Sequence, residues 1–221
     1  MPRPRQALLS RDRIVETAIT LIDADGLDAF STRRLAAELG VAGPSLYNHF
    51  PTKDAILDAV AETITARVDV SFFGTLDWRE ALRRWGLSYR AALADHPHIV
   101  PYLAQGPGRR PAALAMADAV YGALVAAGWP PARATHIGAA MRYFVAGSAL
   151  GSFARGFVED PTVYAEQYPH LAQAHRLAEH QRSVDEGAFV LGLDALIDGL
   201  SRSYQETVGA NANRPPAPDG A

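Results

Sequence analysis

Cysteine is absent from the 221 residues, which excludes disulfides and thiolate metal sites. Net positive charge is absent too: 21 Lys and Arg against 24 Asp and Glu leave a formal charge of -3 and a pI near 6.1. That balance argues mildly against nucleic-acid binding, because phosphate neutralisation supplies much of the affinity of such proteins, so any basic surface must be local. The longest weakly polar run, Ile137 to Ala154, is broken by Arg142 and is too short for a membrane span. Met1 to Ser10 has no apolar signal-peptide core, so a cytoplasmic protein is expected. Neither an alternating strand pattern nor an internal repeat is found. A hydrophobic content of 48% over this length is enough to bury the core of one or two domains.

Ser31 to Lys53 carries the most informative spacing. Leu35, Ala36 and Leu39 form one apolar stripe behind a capping Ser31, and Gly40 supplies the left-handed residue that stops a helix and turns the chain. Pro44 suits the first turn of a second, short helix running to Phe50. Leu46 and Phe50 lie four apart and face inward, leaving Ser45, Asn48, His49 and the Tyr47 ring outward. Those groups hydrogen-bond without a carboxylate among them, as a helix entering the major groove requires. Lys53 follows the capping Thr52, where a cation opposes the helix dipole unless a phosphate docks there. Arg3, Arg5, Arg11, Arg13, Arg33 and Arg34 place further positive charge beside this motif; a solvated tail is the alternative for the N-terminal ones.

From Arg11 to Leu57 the chain resembles the DNA-binding domain of the TetR family. The resemblance rests on Thr32, Arg34, Leu35, Ala36, Leu39, Gly40 and Val41, then Leu46, Tyr47, His49, Phe50 and Lys53. Tyr89, Gly147 and the closing FVLGLDALIDGL more loosely resemble the regulatory domain of its tetracycline-responsive members. Position by position, the resemblance implies DNA contacts at Thr32, Arg33, Pro44, Ser45, Tyr47, Asn48, His49 and Lys53. Those members begin the recognition helix with glutamine, whereas Gly43 here offers a base no side chain, so their operator sequence is not implied. Their magnesium and drug ligands include histidines in the linking helix and near the position of Tyr102. Here Asp69 stands at roughly the first place and IVPYLAQG follows His98, so neither tetracycline nor any metal or cofactor is expected.

The expected fold is all-α: an N-terminal three-helix helix-turn-helix domain plus a larger helical ligand-binding and dimerisation domain. A flexible basic arm is expected over 1–9, the helix-turn-helix domain over 10–51 and a linking helix over 52–72. The regulatory domain follows over 73–208, then a disordered tail over 209–221. Within the regulatory domain, helices are expected from Asp77 to Leu93, Ala112 to Ala127, Ala132 to Phe157 and Asp185 to Thr207, with partial helix from Tyr164 to His180.

Two of these helices are too apolar to face solvent. The small-residue run including Gly147 and Gly151, and Phe189, Leu193, Leu196 and Leu200 on the last helix, suit either a second protomer or burial within one chain. The family resemblance implies a four-helix dimer interface from this pair, and a two-fold symmetric duplex operator independently requires a homodimer. Trp85, Tyr89, Tyr102, Met116, Tyr121, Tyr143 and Phe144 are candidates for an aromatic-lined effector pocket, because buried tyrosines are costly in an ordinary core. Arg142 is placed to pair with an anionic or carbonyl group, or with an acid such as Asp118.

Enzymatic readings are weaker. Gly147-Ser148-Ala149-Leu150-Gly151 puts serine at the wrong place for a nucleophile elbow and follows no strand. His96, His98, His170, His175 and His180 lack helical metal spacing and read as exposed or capping residues. The expected protein is a repressor, without enzymatic activity, released from DNA by a small molecule. The alternative is a helical interaction module whose helix-turn-helix binds protein.

Overall fold

The structure, a computed structural model, describes residues 9–106, 108–165 and 167–212. It separates into two compact units, Met1–Val68 with Ala91–Met116, and Asp69–Arg90 with Ala117–Ala221. Among the described residues there is no strand beyond an isolated bridge between Phe73 and Leu76.

In the first unit, helix α1 (Arg11–Asp25) starts where the Ser10 hydroxyl accepts the Arg13 N–H at 3.2 Å, and Gly26 ends it at φ +84°. Its buried face carries Ile14, Ala18, Leu21 and Ile22, the 3.6-residue stripe of its sequence. Helix α2 (Thr32–Leu39) is capped by Ser31 and closed by Gly40 at φ +68°. Helix α3 (Gly43–Tyr47) is shorter than the expected run to Phe50, since Asn48 already occupies the C-cap and the N–H groups of His49 and Phe50 both donate to the Leu46 carbonyl. Thr52 caps α4 (Lys53–Thr65) through the Ala55 N–H at 3.0 Å.

The expected linking helix to residue 72 is corrected: α4 stops at Thr65. Asp69, expected inside that helix, instead turns the chain, its carboxylate accepting the Ser71 N–H at 2.8 Å and its own N–H donating to the Ser88 hydroxyl at 2.8 Å. Such side-chain-to-backbone bonds compete with helix continuation. The Asp69 carboxyl is accordingly held below its ordinary range, first by the Ser71 hydrogen bonds.

Helix α5 (Trp78–Ala94) is followed by a 3₁₀ turn (Pro97–Ile99), α6 (Val100–Ala104) and α7 (Pro111–Ala126). His96, expected to be exposed or capping, is 8% exposed: its Nδ1 lies 2.8 Å from an Asp23 carboxylate oxygen and its Nε2 3.0 Å from Arg67 Nη1. Two carboxylates one turn apart on α4 bind the same downstream stretch. Asp58 accepts the Tyr102 hydroxyl at 3.1 Å and Arg110 at 3.5 Å, while both Glu62 oxygens accept the N–H of Ala112, capping α7 from another helix.

The second unit adds α8 (Pro131–Ala149), α9 (Thr162–Ala165) and α10 (Gln181–Ala212). Helix α8 ends at Ala149, short of the expected Phe157, because the chain turns after Leu150. Helix α10 extends past both expected ends, which moves 209–212 out of the expected tail; 213–221 and 1–8 lie outside the described residues. Trp78, Trp129 and Tyr204 meet with centroids 5.1–5.4 Å apart. The Tyr204 hydroxyl donates to the Ala127 carbonyl at 2.5 Å, and Arg83 pairs with Asp194 at 2.9 Å, tying α10 to its neighbours.

Candidate nucleic-acid interface

The residues implied for DNA contact lie together in the first unit. Leu46 and Phe50 are at most 1% exposed, so they fix which face of α3 turns inward. Pro44, Tyr47, Asn48, Arg33 and Lys53 are exposed, and Thr32, Gly43, Ser45 and His49 are half-buried at the same surface. Thr32 Oγ1 and the Tyr47 hydroxyl stand 3.4 Å apart, joining the start of α2 to the end of α3. No acidic side chain belongs to α3, so the exposed face offers donors and neutral acceptors to base edges and phosphates.

Three details depart from sequence expectation. The Lys53 charge has a partner of its own, since Nζ lies 5.6 Å from the Phe30 ring centroid. Arg34 ion-pairs with Asp25. Arg11 donates to the His49 carbonyl and lies 3.9 Å over the Phe50 ring. A signal for Arg11 was present in the sequence, because it sits, like Lys53, in a helix's first turn, where a cation is unfavourable.

The eight effector candidates do not converge within one unit. Trp85 and Tyr89 are buried on α5 with rings 5.7 Å apart, and the Trp85 indole N–H has no partner among the described residues. Tyr102 and Met116 belong to the first unit, where burial and then the Asp58 hydrogen bond push the Tyr102 hydroxyl up to about 12. Tyr121 and Tyr143 are 40% and 73% exposed, so the expectation that they are buried is corrected: both point out of α7 and α8. Arg142 is half-buried on α8, and the Phe144 ring stacks on Phe189 at 5.2 Å.

The dimer candidates also divide. Gly147 and Gly151 are exposed and Leu196 and Leu200 half-buried, but Phe189 and Leu193 are 4% and 0% exposed within a single chain. Their four-residue spacing turns them onto Phe144 and Gly86, a correction to their expected place between protomers. Leu191, 73% exposed, stands on the outer face instead.

Among the described residues no helix is long and apolar enough to cross a membrane, and no three His, Asp or Glu side chains gather as a metal site. Ser148 lies inside α8 with its hydroxyl donating to the Val145 carbonyl at 2.7 Å.

Comparison with known proteins supplies the family. Residues 14–60 match the family model described as bacterial regulatory proteins, tetR family, and residues 74–204 the one described as tetracyclin repressor-like, C-terminal domain. The class E tetracycline repressor of Escherichia coli is 31% identical over 207 residues, covering 90% of this chain and 94% of that protein. An HTH-type transcriptional regulator of Saccharopolyspora erythraea is 36% identical over 141 residues, spanning 64% of this chain and 60% of its own length. The crystal structure of the Streptomyces coelicolor TetR family protein ActR with actinorhodin superposes with a TM-score of 0.68 at 28% identity, covering 89% of this chain and 99% of that one. The chain belongs to the TetR family: it is a DNA-binding transcriptional regulator, a homodimeric repressor released from its operator by a small-molecule effector.

Proposed function

We propose that α3 of each protomer enters the major groove of a two-fold symmetric operator, with Ser45, Tyr47, Asn48, His49 and the Gly43–Pro44 start of the helix at the bases and backbone, and with Thr32, Arg33 and Lys53 flanking them. The observation that carries this is the one-sided burial over 43–50: Leu46 and Phe50 are sealed inside while Tyr47 and Asn48 face out. Selection of bound sequences from random duplex DNA tests it. On the selected site, Asn48→Ala and Arg33→Ala should lose about 1–3 kcal/mol, whereas Lys53→Ala should weaken every duplex alike. Parent affinity in all three variants would place the interface elsewhere.

Trp85 and Tyr89 are the proposed effector contacts. The unpartnered Trp85 indole N–H favours a largely apolar molecule carrying a carbonyl or similar acceptor, and the actinorhodin complex of ActR supports a small organic ligand. Such a molecule need favour the non-binding conformation by only a few kcal/mol to empty the operator. The protein acts in the cytoplasm and catalyses nothing.

A further inference from the structure

Helix α3 is five residues long, too short to be stable by itself. It has no side-chain cap at Ala42, and Asn48 closes it at φ -68°, ψ -22° without a left-handed residue. Its Leu46 carbonyl is taken by the N–H groups of His49 and Phe50, so the turn that follows, ending at the His49 carbonyl, is where an outside partner can hold it. Arg11, at the first position of α1, supplies one: its guanidinium donates to the His49 carbonyl while its flat face lies 3.9 Å over the ring of Phe50, itself 1% exposed.

The position of Arg11 does nothing for α1. Ser10 already caps that helix and Asp12 already complements its dipole, so a cation there is mildly unfavourable. A planar fork that donates along its edge and stacks on its face fits the His49–Phe50 corner, and an ammonium cannot do both at once. We propose that Arg11 is a positioning residue that holds the recognition helix at its reading angle, and is not a phosphate contact. The contact ties the end of α3 to α1, so the outward groups of Tyr47, Asn48 and His49 are fixed relative to the rest of the unit before DNA arrives.

This rests on the assignment of α3 as the reader, and the test separates the two. Arg11→Lys keeps the charge and loses the fork; Arg11→Gln loses the charge. In the full-length protein both should bind the selected operator about ten-fold more weakly, the scale of one charge-assisted hydrogen bond. Both should keep the parent's affinity for unrelated duplex and its slope of log affinity against log salt. In the free protein, amide exchange over 45–50 should accelerate while protection in α1 and α4 is retained. If Arg11→Lys binds like the parent and Arg11→Gln lowers the salt slope by about one, Arg11 is a phosphate contact and the proposal fails. Unchanged exchange over 45–50 also overturns it. A parent that selects no duplex overturns the reader assignment, and the exchange measurement still decides the clamp.

Discussion

Gly43 opens the recognition helix without any left-handed backbone to require it, and a Cβ built there meets nothing within 4 Å. Neither strain nor packing accounts for the glycine, so the position is free to take a side chain. Gly43→Gln should melt at the parent's temperature and acquire a preference at one further base pair per half-site, read by repeating the duplex selection. Tyr102 gives a prediction in pH. Its folded value is raised to about 12 from 10, so the phenol contributes stability that is fully present below pH 10 and is lost as pH rises to about 12. Tyr102→Phe should abolish the absorbance component titrating near 12 and lessen the fall in stability across that window. Residues with local roles were legible from the chain: Ser31 and Thr52 cap the helices they precede. His96 was not, because its partners Asp23 and Arg67 lie 73 and 29 positions away and no local spacing announces them.

At the scale of elements, α8 and α10 meet where Gly192 lets the Phe144 ring approach: a Cβ there would sit 2.7 Å from that ring. The ring is stacked on Phe189, so that yielding would disturb the stack. Gly192→Ala should therefore cost about 1–3 kcal/mol in urea unfolding despite the gain in helix propensity. Leu193→Ala, in contact distance of Gly86, should cost about 2–5 kcal/mol. The existence and order of these helices were readable from apolar periodicity and from breakers such as Gly128 and Pro130, but which apolar face went to which neighbour was not. Helix α10 is apolar around much of its circumference, so its pattern could not separate Phe189 and Leu193, which face inward, from Leu191, which faces out. The failure of α4 to run on to residue 72 was hidden for a different reason, since Asp69 donates its N–H to Ser88 and accepts the Ser71 N–H, bonds that compete with the helix.

For the whole molecule, we propose that the exposed faces of α8 and α10 carry the assembly. Tyr143 and Leu191 are each 73% exposed and Gly147 is open, an apolar and small-sided surface of the kind that a second copy covers. Leu191→Glu or Gly147→Leu should yield monomers by sedimentation at unchanged helix content. Operator affinity should fall with them, because half-sites about 34–36 Å apart need two linked readers. A two-domain regulator was legible as a whole from the helix-turn-helix spacing and the apolar last helix. Membership of each unit was not, because α5 and α7 each contribute to both. One feature of the first unit bears on how fast DNA is found. Asp25 is paired with Arg34, Asp23 with His96 and Asp58 with Arg110, while Glu62 is closed over the N–H of Ala112. An incoming phosphate backbone thus meets Arg33 and Lys53 with these four carboxylates already engaged. Encounter should be electrostatically steered, its rate falling steeply with ionic strength, in a chain whose total charge is negative.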